Sequence, residues 1–330
     1  MALPTDLQSA LDTALSRFPN QQLARAVDRL STRYREGRAA TAPIMNSDSD
    51  VAAYAGYRMP ATYAAVRAVL GEVATFAPEF TPKSHIDVGG GTGTALWAAA
   101  GTWSTLSELT VVEQVEKALN LGRTLAASAS SAALRSATWR RGVIDTKTPL
   151  PAADLVTLSY VLGELPEAMR ARTVTWLAAS ASMVVLIEPG TPAGYQRIAD
   201  ARAQLLELGR SLVAPCPHSH TCPIPQGKDW CHFSARLPRV GAHRLIKDGT
   251  LNFEDEKFAY IAASTAPASH AQNRILRHPL KRKGLVSLQL CSSEGVLTET
   301  TVTKRHGELY RSARDATWGD PWTPHSRKLP

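Results

Sequence analysis

The chain has 330 residues, of which 44% are hydrophobic and 20% are charged, so it can bury a sizeable core. This composition excludes a disordered or collagen-like chain, and no stretch reaches the roughly 18 uncharged residues that a membrane-spanning helix needs. The first residues carry Asp6 and Asp12 and lack a basic start followed by an apolar run, unlike a secretory signal or transit peptide. We therefore expect a cytoplasmic protein with no membrane partner.

The formal net charge of +8 is concentrated in the second part of the chain. Residues 1–209 hold 19 basic and 19 acidic side chains, whereas residues 210–330 hold 18 basic and 10 acidic ones, with eight of the nine histidines. Clustered Lys and Arg gain affinity for polyanions by releasing counterions from phosphates. The asymmetry points to a nucleic-acid partner, and a solvated basic face is the alternative.

Residues 1–80 are predicted to form an N-terminal helical region. Leu7, Leu11 and Leu15 recur at helical spacing, and Pro19 marks a break before a second helix. The segment AYAGYRMPATY then leads into a third predicted helix, AAVRAVLGEVATF. We expect the aromatic residues of that segment to pack the helix onto a sheet.

Residues 81–209 alternate short apolar runs with helical segments. The runs are HIDVGGG, LTVVEQ, ADLVTLSYVL and MVVLIEP. They are too uniformly apolar for a sheet with one wet face, so we expect parallel strands covered by helices on both sides. Ligands of such doubly wound sheets bind at the carboxyl ends of the strands.

A glycine-rich loop directly follows the first apolar run and precedes the helical ALWAAAG. It consists of Asp87, Val88, Gly89, Gly90, Gly91, Thr92 and Gly93. Glycines let the backbone turn sharply and approach a ligand, and the next helix points its N–H groups at that ligand. The G-x-G-x-G spacing, with an acid two positions ahead, differs from the dinucleotide fingerprint and resembles the first motif of class I S-adenosylmethionine-dependent methyltransferases. We predict S-adenosylmethionine as the cofactor, with an NAD-type fold or a relic without cofactor as alternatives.

The same resemblance implies roles for two further carboxylates. Glu113 ends the next strand, where class I enzymes bind the ribose hydroxyls, and Asp145 stands where they often contact the adenine, unless it is a solvated loop residue. Residues 159–165, SYVLGEL, lack the Asn/Asp-Pro-Pro-aromatic motif of enzymes that methylate nucleic-acid amines. Glu164 and Glu188 are candidate bases or structural strand-end carboxylates. The catalytic residues stay unassigned, and enzymatic activity stays open.

All four cysteines of the chain lie within residues 210–330. Three of them, Cys216, Cys222 and Cys231, form C-x5-C-x8-C in a Pro/His-rich loop, and Cys291 ends the first strand of a predicted hairpin, LVSLQLC and VLTETTVTK. A cytoplasmic chain disfavours disulfides, but four thiolates can hold zinc or an iron–sulfur cluster. No pair has the close spacing of a zinc knuckle. The pattern favours a cluster, with zinc or unligated buried thiols as alternatives.

Several segments together resemble the methyltransferase-like assembly factors of the mitochondrial small ribosomal subunit and their bacterial homologues. These are AYAGYRMPATYAAV, DVGGGTGTALWAA, IEPGTPAGYQRIADARAQLL, the three-cysteine loop and KRHGELYRSARDATWGDPW, within residues 40–322. The resemblance implies an α/β fold: a class I methyltransferase-type doubly wound sheet with N-terminal helices and a C-terminal cysteine-rich α+β extension. It also implies that the four cysteines bind a four-iron four-sulfur (4Fe-4S) cluster. The lack of a presequence fits a bacterial, cytoplasmic member.

We therefore predict three regions: N-terminal helices in residues 1–80, an S-adenosylmethionine-binding Rossmann-like domain in 81–209, and a basic iron–sulfur module in 210–330. The leading hypothesis is a monomeric small-subunit assembly or translation factor that binds ribosomal RNA (rRNA). Its expected phosphate contacts are Lys281, Arg282, Lys283, Lys304 and Arg305, followed by Arg311 and Arg314. The alternatives are an active rRNA methyltransferase and a redox-responsive RNA-binding regulator.

Overall fold

The computed structural model describes residues 1–36, 47–238 and 253–323. Residues 37–46, 239–252 and 324–330, which belong to two of the predicted regions, lie outside the described residues. The helices are α1 Thr5–Leu15, α2 Asn20–Glu36, α3 Asp48–Phe76, α4 Thr94–Ala100, α5 Glu116–Ala127, α6 Ala132–Arg135, α7 Glu167–Ser180, α8 Pro192–Glu207 and α9 Glu308–Asp315. None of these helices, as far as they are described, is long and apolar enough to cross a membrane.

The strands form two sheets. The first contains β1 Ser84–Val88, β2 Glu108–Glu113, β3 Thr138–Arg141, β4 Ala153–Ser159, β5 Ala181–Pro189, β6 Ser211–Ala214, β7 Phe233–Pro238 and β8 Phe253–Ser264. The second contains β9 Asn273–Ile275, β10 Leu280–Arg282, β11 Leu285–Ser292, β12 Leu297–Thr303 and β13 Pro321–Trp322. A short 3-10 turn, Lys304–His306, follows β12.

The first sheet has the strand order β3-β2-β1-β4-β5-β8-β6, and β7 also pairs with β8. Strands β1 to β5 are parallel, whereas β8 runs antiparallel to β5. Alternate residues of β5 enter different cores: Met183 and Val185 face the core formed with α3, and Val184 and Leu186 face the core formed with α7 and α8. The expected sheet with helices on both faces is present.

Helix α3 is longer than the sequence predicts, because it already includes the segment AYAGYRMPATY. It begins with a capping box, in which the Ser47 hydroxyl accepts from the Asp50 amide and the Asp50 carboxylate accepts from the Ser47 amide. Pro60 lies inside the helix, where proline normally costs stability. Buried neighbours such as Met59 and Ala64 pack α3 tightly, and this packing outweighs the local preference.

Strand β8 extends the first sheet beyond residue 209. It covers the open side of β5, with Leu186 beside Ile261, and its other side pairs with β6 and β7 in succession. Without β8, β5, whose residues 183–188 are buried, would present an unpaired edge. The predicted boundary between residues 209 and 210 therefore falls inside the first sheet, and β6 to β8 belong structurally with the strands before them.

The second sheet has five antiparallel strands and a small core of its own. Strand β11 pairs with β12 from Leu285 opposite Thr303 to Cys291 opposite Leu297, as the predicted hairpin requires. Leu288 and Val302 are buried in its core together with Ala313 of α9. The end of β11 that carries Cys291 also pairs with β9, with Cys291 opposite Arg274. Cys291 belongs to the same buried core as Ile261 of β8 in the first sheet.

Candidate functional site

The glycine loop connects the carboxyl end of β1 to the amino end of α4. Gly89, Gly91 and Gly93 have φ angles of 64°, 55° and 80°, in the left-handed region that favours glycine. A Cβ at Gly93 would lie 2.6 Å from Cη2 of Trp139, whereas a Cβ at Gly91 would meet nothing within 4 Å. The backbone at Gly91 therefore faces open space, where a ligand can approach it closely.

Glu113 holds this loop from the end of β2. Its Oε2 accepts from the Gly91 amide at 3.0 Å, its Oε1 accepts from the Val115 amide at 2.9 Å, and the residue is 7% exposed. Each carboxylate oxygen can accept more than one hydrogen bond. The carboxylate thus lies beside the open space at Gly91 with acceptor capacity remaining, and its binding to ribose stays a prediction.

Asp87 is buried beneath the loop and is only 2% exposed. Its Oδ1 accepts from the Thr157 hydroxyl at 2.6 Å, and that hydroxyl lies 2.8 Å from Nε2 of buried His85. Burial raises the pKa of Asp87 to about 7, assisted by the negative charge of Glu113, and burial lowers the pKa of His85 to about 3. These bonds join β1 to β4, so Asp87 positions the loop.

The remaining predicted loop residues differ in their surroundings. Gly90 is packed against the Asp87 side chain, and the Thr92 hydroxyl donates to Sδ of Met59 at 3.7 Å, which fastens the loop to α3. Asp145 is exposed after β3 and accepts from the Lys147 amide at 3.0 Å, within its own turn. That amide and the Thr148 hydroxyl lower the pKa of Asp145. The adenine contact proposed for Asp145 stays a prediction.

Two further carboxylates lie at the same edge of the sheet. Glu188, at the end of β5, is 1% exposed and pairs with Arg197 of α8, with 2.5 Å between Oε2 and Nε. Desolvation raises the pKa of Glu188, and Arg197 opposes the rise. Desolvation, together with the carboxylates of Glu113 and Glu188, raises the pKa of Glu164 to about 7. Several carboxyl groups therefore lie along this edge, and burial keeps the Glu164 carboxyl partly protonated near neutral pH.

The structure adds a cluster that the sequence reasoning did not identify. Tyr160, directly after β4, has a φ of 63° and is the one described non-glycine residue with a positive φ. Its hydroxyl donates to Oε1 of Glu256 at 3.0 Å, and Nη2 of Arg58 donates to the same oxygen at 3.0 Å. Glu256 lies on β8 and Arg58 on α3. Arg58 lies in the segment AYAGYRMPATY, whose aromatic residues the sequence analysis assigns to packing.

The four cysteines line one cavity between the two sheets, which is partly open to solvent. Cys216, Cys222 and Cys231 come from the loop between β6 and β7, and Cys291 comes from β11. Helix α8 and strands β8 and β9 supply further walls. Over the described ranges of the chain, no group of three or more His, Cys, Asp and Glu residues that could hold a metal ion is present.

Three of the thiols have polar neighbours. Nε of Arg202 donates to Sγ of Cys216 at 3.3 Å, and the Tyr195 hydroxyl lies 3.2 Å from Sγ of Cys222. Nε2 of His218 lies 3.3 Å from Sγ of Cys291. A second guanidinium, that of Arg274, lines the cavity, and Arg202 and Arg274 are only 6% and 2% exposed. Four sulfur donors beside two buried cations fit an anionic metal–thiolate group.

The predicted phosphate contacts lie on the second sheet. Lys281 and Arg282 are exposed on β10, and the Lys304 amide donates to the Gly284 carbonyl at 3.0 Å. The Lys304 side chain passes over Gly284, with its Cδ 3.7 Å from the place of a Cβ there. The two basic runs, Lys281–Lys283 and Lys304-Arg305, are therefore adjacent, and we call them the basic end of the second sheet. Exposed Arg311 and Arg314 follow on α9.

The fold and this edge together define the class of protein. A parallel sheet completed by an antiparallel strand beside β5, with a glycine loop after β1 and an acid at the end of β2, is a class I methyltransferase-like α/β structure. The chain belongs to the family described as "Mitochondrial small ribosomal subunit Rsm22", which matches residues 48–323.

Two curated relatives illustrate the family. The human mitochondrial ribosome assembly protein METTL17 is 30% identical over 287 residues, which cover 81% of this chain and 61% of that protein. The mitochondrial Rsm22-cox11 tandem protein 2 of Schizosaccharomyces pombe is 27% identical, covering 83% of this chain and 43% of that protein. The chain therefore spans less than two thirds of the length of these relatives.

Similarity to solved structures is lower. The magnesium protoporphyrin IX methyltransferase of Synechocystis PCC 6803, solved with bound S-adenosylmethionine, is 13% identical with a TM-score of 0.42. The match covers 76% of this chain and 98% of that chain.

The buried Asp87 generates a pH prediction. Its folded pKa of about 7 lies above the ordinary value of 3.8, so the folded protein retains a proton that the unfolded chain releases between about pH 4 and 7. As pH rises through this window, the wild-type free energy of unfolding should fall relative to that of Asp87→Asn, by up to about 1.4 kcal/mol per pH unit. Urea unfolding from pH 4 to 8 measures the difference.

Asp154→Asn is the matched control. Desolvation of Asp154 is outweighed by hydrogen bonds from the Lys83 and Ser84 amides and the Ser84 hydroxyl, so its pKa is lowered. The difference in free energy of unfolding between wild type and Asp154→Asn should not change with pH above about pH 5, because Asp154 is ionised in both the folded and the unfolded chain there. A flat difference for Asp87→Asn as well would contradict the raised pKa of Asp87.

Proposed function

We propose that this protein is an assembly factor of the small ribosomal subunit that binds rRNA through the basic end of the second sheet. The observation that carries the proposal is the adjacency of the two basic runs, which are about twenty residues apart in sequence. The names of the relatives, which describe ribosome assembly and small-subunit proteins, support this choice of partner. The protein acts in this proposal as a monomer without a membrane partner.

The surface chemistry of the basic end supports an RNA partner. Its five cations are exposed and lie at one end of the sheet, and Arg311 and Arg314 project from α9, whose Ala313 is buried against the same sheet. Adjacent cations can neutralise several phosphates of one strand and release their counterions together. A scattered set of the same charges would contact fewer phosphates at once.

We also propose that S-adenosylmethionine binds at the glycine loop. Three features support it: the open space at Gly91, the Glu113 carboxylate beside that space, and the accumulation of carboxylates that includes Glu164 and Glu188. The sulfonium of the cofactor is a cation, so its binding would relieve the repulsion among these groups. Residues Asp87, Gly89, Gly90, Gly91, Thr92, Gly93, Glu113 and Asp145 form the proposed cofactor site.

The third part of the proposal is a 4Fe-4S cluster on Cys216, Cys222, Cys231 and Cys291. Support comes from the four cysteines around one pocket and from the two buried guanidinium groups beside them. A cubane separates its four ligands more widely than one zinc ion does, and thiolate ligation adds negative charge that the arginines can balance. Zinc is the alternative.

The setting of the protein is also part of the proposal. The relatives are described as mitochondrial, and the bacterial cytoplasm expected from the sequence stays a prediction. The three predicted regions keep their functional assignments, with the structural qualification that β6 to β8 extend the first sheet.

An active rRNA methyltransferase is the second candidate. One observation favours it: the pKa of Glu164 is raised to about 7, near the value that suits a general base at neutral pH. Incubation of the protein with small-subunit particles and S-adenosylmethionine carrying a labelled methyl group would decide this. Transfer that is lost in Glu164→Gln would favour the enzyme over an assembly factor that only binds the cofactor.

Substitution at Gly91 tests the cofactor site. Gly91→Val should weaken S-adenosylmethionine binding at least tenfold, because the new side chain would fill the space beside Glu113. Gly209→Val is the matched control, since Gly209 also has a positive φ, of 74°, and open space around its Cβ position. Calorimetry should give wild-type affinity for the control, and equal affinity in both variants would refute the placement.

Substitution of a cysteine tests the cluster. Anaerobically purified wild-type protein should contain four iron and four sulfide per chain, and Cys291→Ser should lose both and unfold at a lower temperature, because Cys291 attaches β11 to the cavity. Ser287→Ala, in the same strand, should keep the iron and sulfide. Stoichiometric zinc without sulfide in the wild type would overturn the iron–sulfur assignment.

Salt-dependent binding tests the RNA interface. Replacing Lys281, Arg282 and Lys283 with Ala should weaken binding to small-subunit rRNA. It should also make the slope of the logarithm of the binding constant against the logarithm of salt concentration less negative, by up to about one unit per lost contact. The control replaces three exposed arginines with Ala: Arg17, which follows α1, Arg123 on α5 and Arg172 on α7. It should keep the wild-type affinity and salt dependence. Unchanged affinity and slope in the first variant would make the basic end a solvated face.

A further inference from the structure

We infer that Tyr195 and Arg202 are positioning residues for the cysteine-bound cluster: they donate hydrogen bonds to the sulfurs of Cys222 and Cys216 and thereby raise its reduction potential. This inference rests on the proposed 4Fe-4S cluster. It assigns to α8, a helix of the nucleotide-binding fold, a defined effect on a group bound mainly by the cysteine loop.

The geometry starts from the spacing of residues on α8. Tyr195, Ile198, Ala199 and Arg202 follow the i, i+3, i+4, i+7 pattern of one helix face, and all four line the cysteine cavity. The two apolar residues of this face exclude water from the wall, and the two polar residues at its ends reach the sulfurs. One face of α8 therefore supplies both the apolar wall and the two hydrogen-bond donors.

Arg202 is held firmly in this position. Its Nη2 donates to the carbonyls of His218 at 3.0 Å and His220 at 2.7 Å, which leaves Nε directed at Cys216. Because the side chain is almost fully buried, it has no alternative partners in water. A planar guanidinium fixed by two carbonyls is a preorganised donor for the third group.

Tyr195 is also well placed to donate. It is 8% exposed, and its hydroxyl lies 3.2 Å from Sγ of Cys222. A free thiol could donate to the hydroxyl, but a metal-bound thiolate has no proton and can only accept. The hydrogen bond therefore has a single direction once Cys222 is a ligand.

The effect on the potential follows from charge. One-electron reduction of the cluster, by a chemical reductant such as dithionite, adds one negative charge and breaks no bond. Hydrogen-bond donors and a nearby cation stabilise the more negative reduced form more than the oxidised form. Removing either donor should therefore lower the reduction potential.

The experiment is a redox titration of the anaerobically purified full chain, followed by electron paramagnetic resonance. Tyr195→Phe and Arg202→Gln should each make reduction at least tenfold less favourable, which is 59 mV for one electron. Two controls should keep the wild-type potential: Tyr63→Phe on α3, and Arg210→Gln, whose guanidinium contacts the Ala181 and Ser182 carbonyls and none of the described thiols.

The possible results distinguish a failure of this inference from a failure of the proposed 4Fe-4S cluster. Wild-type protein without iron and sulfide would defeat the cluster itself. A cluster that is present, with the same potential in wild type and Tyr195→Phe, would overturn the inference alone. If Arg202→Gln fails to retain the cluster, the titration of Tyr195→Phe decides, because that change removes one hydroxyl and keeps the ring that packs in the wall.

Discussion

The buried guanidinium of Arg274 is the contact on which the union of the two sheets depends. From β9 of the second sheet, it donates to the Pro215 carbonyl at 2.9 Å, to the Gly319 carbonyl at 2.7 Å and to Glu72 of α3 at 2.5 Å. A buried charge is tolerated only when its donors are satisfied. These partners come from three distant parts of the chain, so the charge is satisfied only when all of them are folded together around the cysteine cavity.

Helix α8 connects the two candidate sites in a different way. Arg197 reaches Glu188 at the carboxyl edge of the first sheet, while Arg202, little more than one turn later, reaches Cys216 in the cavity. The helix is fixed at its start by the Thr191 hydroxyl, which accepts from the Gly194 amide at 3.1 Å. A rotation of α8 would disturb both contacts together, so the helix imposes a common geometry on sites that use different chemistry.

The sequence predicts what local signals determine. The glycine loop is recognisable because it follows an apolar strand, and Glu113 because it ends the next one. The β11–β12 hairpin is recognisable because a short turn with Gly295 joins two runs of high strand propensity. Cys291 is sixty positions from Cys231, and it was grouped with the cysteine loop because the four thiols share one basic region and because the family resemblance implies the same set. Arg202 and Tyr160 were not predicted, because nothing in the neighbouring sequence indicates that their side chains contact Cys216 and Glu256. The role of β8 was missed because strand pairing at long range leaves no pattern in the strand itself.

The distribution of charge constrains how an RNA could use both sites. Carboxyl groups such as those of Glu113 and Glu164 collect at the carboxyl edge of the first sheet, which we call the acidic edge, whereas Lys281 and Lys304 lie at the basic end of the second sheet. Phosphates are attracted to the basic end and repelled by the acidic edge. If the protein does methylate RNA, an unpaired base would have to enter the edge while its backbone stays outside, because a base carries no negative charge. An assembly factor needs no such entry. Its RNA can remain on the second sheet, and the acidic edge is then free to hold a cationic cofactor whether or not a methyl group is transferred.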